Sequence, residues 1–393
     1  MSRLLTGLLA VAVLWFAYDQ WVGESLAVES LPGVSAVALE GSMRAQTQES
    51  PQKSAGRQPA EGLGAGLPLD AESPQPVSEV DRLIAGIKKN EPAALQAAFG
   101  VLLLQTGEKR VHLARALRAA AESSPSAKDM VPLLGRNNAF LQCSEGRDLI
   151  AFAIERLAKE SYADALTAGT ALLEACMRGP IAKEAADAHA SVDAVFAAMA
   201  TPLGAITLNP AHPARARSYE VKSGDSLDVI ASRYRKQGYA LEAGTLQLVN
   251  RISDPRRLQI GQMIKIPVDP VRTVINKASF LMAVYIGDTI VRLYWIGHGK
   301  ANRTPEAGFK IGAKDKHPDW KGVPYGHPDN PLGDYWVEFR DGLNRGIGAH
   351  GTEEPDSICD TRSEGCIRMR DADIREFFLV VPRGSEVVIE TSR

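Results

Sequence analysis

The rhythm of hydrophobic and polar positions changes repeatedly along this chain, and each change marks a segment. Uncharged apolar residues fill positions 4–17 and continue through Tyr18, Trp21 and Val22 with one interruption at Asp19. Over residues 41–77 aliphatic residues thin out and Gly, Pro, Gln, Ser and Ala take over. From residue 78 to about 200 apolar residues return at helical spacing, as in Val80, Leu83, Ile84 and Ile87. Helices are predicted over 111–121, 148–159, 163–177 and 181–199, with a break at Gly179-Pro180. Residues 219–267 read as strand, helix, helix, strand, opening with a Ser-Gly-Asp turn whose Asp225 or Ser226 can cap the first helix. Beyond Val271, β-branched and aromatic runs predict strands over 271–276, 280–286, 291–296, 308–313, 335–339, 347–350 and 386–389. Asp371-Ala372-Asp373 is expected to cap a helix carrying Ile374, Phe377 and Phe378 inward.

These changes divide the chain into a hydrophobic segment (1–23), a linker (24–77), an α-helical domain (78–205), a small βααβ module (218–268) and a mainly-β domain (271–393). The apolar core at the start is shorter than the ~20 residues that span a bilayer, but its extension comes close. No basic residue follows it until Arg44, so the bulk of the chain is expected to be exported, with the segment retained as a single membrane anchor rather than cleaved after Ala27. The linker's stretch 41–77, if flexible, would span about 35 Å, enough to hold a domain off a membrane surface. The helical domain loosely resembles paired-helix repeats without a clear period; a protein-docking solenoid and a plain spacer bundle both fit.

At 393 residues and 45% hydrophobic composition the chain can fill two or three cores. A net charge of -2 gives no footprint for nucleic acid or for a polybasic membrane-surface protein. Of the four cysteines, Cys143 and Cys176 fall in the helical domain, where an exported protein can pair them. Cys359 stands seven residues before Cys366, within reach of a reversible disulfide.

Candidate chemistry concentrates in Gly348-Ala349-His350-Gly351-Thr352 and Ser363-Glu364-Gly365-Cys366-Ile367-Arg368. A free thiol near pKa ~8.5 is barely ionised at neutral pH and needs a base such as imidazole to act as a nucleophile. Gly365 lets backbone come close to a bound carbonyl, so N–H groups around Cys366 can hold an oxyanion. For an isolated pair, the default would be a buried apolar cysteine and a satisfied turn histidine. His298, His317 and His327 lie in Gly/Pro-rich loops with no zinc-like spacing. Tyr325 and His327 belong to a loop, 322–330, that can overhang the site and touch substrate.

His350, Gly351, Thr352, Ser363, Gly365, Cys366 and Arg368, in this order and spacing, resemble the signature of YkuD-type L,D-transpeptidases of bacterial cell walls. Arg303-Thr304-Pro305 through Ile311 and Asn330-Pro331-Leu332-Gly333 match two further motifs of that family, while Glu364 stands where many members carry histidine. Residues 219–267 resemble a LysM domain, which binds N-acetylglucosamine-containing glycans. The resemblance implies a β-sandwich-like catalytic fold and attack by Cys366 on the bond between the third stem residue and a terminal D-alanine of peptidoglycan. An amine of a second stem would then form a 3→3 cross-link. It further implies His350 as the base, Gly365 and Cys366 N–H groups as oxyanion donors, Ser363 orienting the imidazole, and Arg368 holding a carboxylate or the loop. Gly351 and Thr352 would support the same site, and no metal or organic cofactor is required. The expected partners are stem peptides, glycan strands and a protein bound by the helical domain, in the cell envelope outside the cytoplasm. An L,D-carboxypeptidase and an inactive glycan-binding scaffold are the rival readings.

Overall fold

The computed structural model describes residues 78–391 apart from 90, 92, 95–96, 99–100, 102–106, 124–143 and 214. The apolar segment, the linker and Cys143 therefore lie outside the described residues, and no described helix is long and apolar enough to cross a membrane. Two compact units divide at Arg82. Of the first, only the opening turn of α1 (Glu79–Lys88) is described, where Ser78 Oγ accepts the Asp81 N–H at 3.2 Å.

In the second unit, helices α2 (Gly107–Ser123), α3 (Ser144–Glu160), α4 (Tyr162–Arg178), α5 (Ala186–Ala198) and α6 (Ala200–Ala205) precede the small module. Ser161 caps α4 by accepting the Asp164 N–H at 3.2 Å, which explains why the helix begins there. The helix expected from residue 181 starts only at Ala186. Residues 181–185 instead form a turn against the catalytic domain, with the Ile181 N–H donated to Ala278 O at 3.1 Å. Leu149, Ile150, Ile154, Leu157, Leu172, Leu173, Val192 and Val195 are buried, so the pattern that predicted the helices also supplies their core.

The helical domain is no free spacer. It caps the outer strand of the catalytic sheet, where Thr170 Oγ1 accepts the Ile290 N–H at 3.3 Å and Asp193 accepts the Trp295 indole N–H at 2.9 Å. An uncovered strand edge is a template for unwanted pairing, and the helices remove it.

The module consists of β1 (Ala216–Glu220), α7 (Leu227–Arg235), α8 (Ala243–Val249) and β2 (Met263–Pro267), with β1 and β2 antiparallel. Ser226 is the cap, accepting the Val229 N–H at 3.2 Å. Asp225 instead accepts the Tyr219 hydroxyl at 2.7 Å and Arg233 Nη2 at 3.0 Å. A core of Val221, Leu227, Ile230, Tyr234, Leu241, Leu246, Ile264 and Ile266 fills the space between.

The catalytic domain contains β3 (Val271–Asn276), β4 (Leu281–Ile286), β5 (Thr289–Trp295), β6 (His298–Gly299), β7 (Ala307–Lys316), β8 (Tyr335–Arg340), β9 (Gly348–His350), β10 (Thr361–Ser363), β11 (Ile367–Arg368), α9 (Asp371–Val380) and β12 (Glu386–Glu390). Eight strands form one sheet in the order β11-β9-β8-β7-β12-β3-β4-β5, and β10 pairs with β6 in parallel. This corrects the sandwich-like expectation. Four strands separate β8 from β5, which in a flat sheet is about 24 Å. Yet Phe339 of β8 and Tyr294 of β5 both meet Phe377 of α9, with ring centroids 6.5 and 6.4 Å away. A single sheet therefore curls around α9, whose Ile374, Phe377 and Val380 are buried. Phe378, expected inward, is half-buried against Tyr335, and no side chain caps the helix; Asp371 and Asp373 sit in its first turn instead.

The module docks on α9. A Cβ at Gly244 would lie 2.2 Å from Leu379 O, and the buried Thr245 hydroxyl donates to Val380 O at 2.6 Å. Gly244→Ala is therefore expected to lower stability by about 2 kcal/mol in thermal unfolding, because backbone must move to admit the methyl. Gly204→Ala, whose added Cβ would have its nearest neighbour at 3.5 Å, should not destabilise the protein.

Candidate active site

Register brings the signature residues together. In the sheet, Arg368 pairs with His350 and Ile367 with Ala349, while Trp336 pairs with His350 from the other side. Paired residues share a face and the side-chain period is two, so Trp336, His350, Gly348, Arg368 and Cys366 project to one side. Glycine at 348 is required: a Cβ there would stand 2.7 Å from the Trp336 ring and 2.4 Å from Val337 O.

Behind Cys366, backbones touch. A Cβ at Gly299 would be 2.8 Å from Gly365 Cα, and Gly365 itself has φ +137°. The buried Thr304 hydroxyl donates to Gly365 O at 2.8 Å and accepts the Gly299 N–H at 2.8 Å. Ser363 Oγ donates to Cys366 O at 2.6 Å and accepts the Gly365 N–H at 3.1 Å. Two expectations change here. Ser363 holds the Cys366 loop rather than the imidazole, and the Gly365 N–H is already engaged instead of facing an oxyanion.

His350 is buried, and its Nδ1–H donates to Gly351 O at 2.6 Å. Burial pushes its pKa down to about 4. The Gly351 carbonyl opposes that shift, the Arg368 guanidinium adds to it, and the Pro331 carbonyl opposes it. Burial also raises the Cys366 thiol above its ordinary value, offset in part by the Gly348 N–H and by the charges of Lys321 and Arg368. Cys366 Sγ donates to Gly346 O at 3.3 Å, and no hydrogen bond joins it to His350 among the described residues. The resting pair is thus neutral thiol beside neutral imidazole. Cys366, Cys359 and Cys176 are free thiols. Burial raises the Cys359 pKa to about 11; the charges of Arg370 and Lys183 oppose that shift, and those of Asp193 and Asp360 add to it.

The remaining signature residues hold loops. Arg368 pairs with Glu354 at 2.7 Å, and Thr352 Oγ1 accepts the Glu354 N–H at 3.1 Å. A Cβ at Gly351 would meet Asp371 Oδ1 at 2.5 Å. Glu364 lies between Lys300, at 2.6 Å, and Arg303.

Cys366 opens into a cleft of about 500 Å³ lined by Lys316, His317, Trp320, Lys321, Leu332, Trp336 and Gly346. One wall is a flap. Trp320 and Val323 exchange backbone hydrogen bonds at 2.8 Å across Lys321-Gly322, both at positive φ, as in a type I′ hairpin turn. Asn330 folds the flap, donating to Pro318 O at 2.9 Å and Val323 O at 3.1 Å. Tyr325 and His327 do not line the cleft: the Tyr325 hydroxyl donates to Asp334 at 2.6 Å, and His327 Nδ1 accepts the Asp329 N–H at 3.2 Å. Sequence reasoning singled out Tyr325 and His327 in this loop rather than Trp320 and Lys321, although an aromatic–cation pair in a Gly/Pro-rich loop before Cys366 was a readable signal. Among the described residues no cluster of His, Cys, Asp and Glu is arranged to hold a metal.

The curled sheet thus brings His350 and the cleft-facing Cys366 close together next to a βααβ module. Residues 270–389 match the family model for the L,D-transpeptidase catalytic domain, YkuD, and residues 219–267 match that for the LysM domain. The chain belongs to the YkuD L,D-transpeptidase family. It is 32% identical over 178 residues to the L,D-transpeptidase YkuD of Bacillus licheniformis, covering 44% of this chain and 97% of that one. To the Bacillus subtilis protein named L,D-transpeptidase YqjB it is 34% identical over 131 residues, covering 32% of this chain and 73% of that one. A solved L,D-transpeptidase from Mycobacterium smegmatis aligns with 34% of this chain and 64% of its own, at 18% identity and TM-score 0.27.

The electrostatics predict a pH profile. His350 stays neutral above pH 4 and the thiol ionises late, so alkylation of Cys366 by iodoacetamide should climb steadily from pH 6 to 9. A preformed thiolate–imidazolium pair would instead give a rate already on a plateau at pH 6. Mass spectrometry of the Cys366 peptide reads the rate.

Proposed function

We propose that this enzyme is a peptidoglycan L,D-transpeptidase forming 3→3 cross-links through a cysteine acyl-enzyme. The observation that carries the reading is Cys366 opening into a substrate-sized cleft from the same sheet face as His350. On binding, the thiol turns from Gly346 O to the imidazole, which takes its proton. The sulfur attacks the carbonyl of the third stem residue, the C–N bond to D-alanine breaks, and the proton leaves on the D-alanine amine. A side-chain amine of a second stem then attacks the thioester, the C–S bond breaks, and the thiol is regenerated. With the Gly365 N–H bound by Ser363, the Cys366 N–H is the near oxyanion donor, worth about 3 kcal/mol in the transition state. Trp320 and Trp336 flank the stem, and Lys321 and Lys316 face its carboxylates. Tyr325 and His327 serve substrate indirectly, by shaping the flap.

The cell wall is the site of action, with the hydrophobic segment 1–23 as the membrane anchor and the LysM domain binding glycan strands. A partner protein on the helical domain belongs to the same reading. The intact His350, Ser363, Gly365, Cys366 and Arg368 set disfavours an inactive scaffold.

Purified protein given disaccharide-tetrapeptide is expected to yield a dimer one D-alanine lighter than the sum of its parts. Cys366→Ser and His350→Ala should each abolish the acyl-enzyme seen by mass spectrometry. Positioning can give effective molarities of about 10⁵ M or more, so a held amine outcompetes water at ~55 M. Tripeptide as the sole product at millimolar substrate would make the enzyme an L,D-carboxypeptidase.

Glycan binding is tested separately. Soluble N-acetylglucosamine oligomers should release the protein from insoluble peptidoglycan without slowing turnover of soluble muropeptides, since that contact is remote from the thiol. Retention unaffected by the oligomers would remove the glycan-binding role.

A further inference from the structure

The turn before α5, where a continuous helix was expected, places Lys183 of the helical domain on the chain segment that carries the nucleophile. Its Nζ donates to Asp356 O and to Asp360 Oδ2, the latter at 3.1 Å. Asp360 Oδ2 is shared with Arg362 Nε at 2.7 Å, and Arg362 Nη1 reaches Asp356 Oδ2 at 2.8 Å. Lys183 and Arg362 therefore close a four-membered network around the segment joining His350 to Cys366.

That segment has little regular structure of its own. Between His350 and Cys366 lie a single 3₁₀ turn, Pro355–Ser357, and the three-residue strand β10. It is pinned at points instead. The Cys359 N–H donates to Ile296 O at 2.9 Å, the His298 N–H donates to Asp360 O at 3.1 Å, and Arg368 bonds Glu354. A Cβ at Gly297 would stand 2.3 Å from Ser357 O, so the segment lies against the strand end that leads into β6. Asp360 is followed directly by β10, whose Ser363 anchors Cys366 O and the Gly365 N–H. A shift at Asp360 passes through three residues to the groups that aim the sulfur.

We infer that Lys183 is a positioning residue for Cys366, so that the helical domain is part of the catalytic unit. This rests on the reading of Cys366 as the nucleophile. The guanidinium of Arg362 and the ammonium of Lys183 grip Asp360 from the same segment and from outside it, respectively. Arg362 moves with the segment, whereas Lys183 ties it to a body that also holds Trp295, through Asp193, and Ile290, through Thr170. A fixed reference of this kind limits where the thiol can point, and misplacement of a reacting group costs rate rather than affinity.

The test compares Lys183→Met, Lys183→Arg, Asp360→Asn and the Lys183→Met/Asp360→Asn double variant as full chains, with the melting temperature followed in each. Acyl-enzyme formation with disaccharide-tetrapeptide should fall about tenfold in kcat for Lys183→Met with KM little changed, and Lys183→Arg should recover most of the loss. The double variant should fall well short of the product of the two single losses, because both changes cut the Lys183–Asp360 link. Wild-type kcat in Lys183→Met, or losses that multiply in the double variant, would overturn the inference. A loss that follows the melting temperature and is not recovered by arginine would overturn it too. Iodoacetamide labelling of Cys366 needs no peptidoglycan and separates the two ideas: slowed labelling in Lys183→Met alongside a wild type that is not acylated would fault the substrate reading and leave the positioning role standing. Should Lys183→Met fail to fold, Asp360→Asn with labelling at wild-type rate would overturn the proposal on its own.

Discussion

Everything at this site depends on a close approach between two backbones. A Cβ on Gly299 would run into the Gly365 backbone, and one buried hydroxyl, Thr304 Oγ1, satisfies the Gly299 N–H on one side and the Gly365 carbonyl on the other. An unpaired polar group in that spot would cost several kcal/mol, so the hydroxyl fixes spacing as well as contact. The turn that delivers Thr304 is itself held by the buried Lys277, which bonds Asn302 Oδ1, Thr304 O at 3.1 Å and Glu306 at 2.9 Å. Ala301 in that turn takes positive φ, a conformation that alanine adopts only when surroundings impose it, and Asn302, which tolerates it readily, does the same. The motif around Thr304 and the motif around Cys366 are thus two halves of one support, far apart in sequence and adjacent in space.

Much of this was legible beforehand. Strands β3, β8 and β12 fell within a residue of their expected bounds because alternating and β-branched runs are local signals, and the LysM-like module carried its own turn and cap chemistry. The curl of the sheet was not legible. It depends on Phe377 meeting rings from strands with four others between them, a fact of tertiary packing that no window of residues contains. Short strands β6, β10 and β11 were missed for the same reason, since two or three residues pair only because glycines at 297, 299 and 365 let neighbours approach. At the site, the identity of His350 and Cys366 could be read, but the hydrogen-bonding of Ser363 could not: a hydroxyl beside Gly-Cys serves either ring or backbone until geometry decides. The turn at 181–185 was read as helix because its alanines and isoleucine fit that period, and tertiary contact overrode the propensity.

Glu364 shows how a local departure can be absorbed. A carboxylate next to a nucleophilic cysteine would disfavour thiolate if left bare. Lys300 and Arg303 neutralise it, and both cations come from the same turn that supplies Thr304. The ion pairs are solvent-exposed and add little to stability.

The docking of the small module through Gly244 and Thr245 changes what tethering means for this chain. Modules on flexible linkers raise local concentration over a broad sphere whose radius is set by linker length. Here the module is bolted to α9, the helix at the centre of the catalytic sheet, by contacts with backbone carbonyls. If such a module grips a glycan strand, the thiol is presented at a set offset and angle along that strand, and stems at other spacings lie out of reach. The assembly then behaves as a caliper, with its jaw opening determined by the fold.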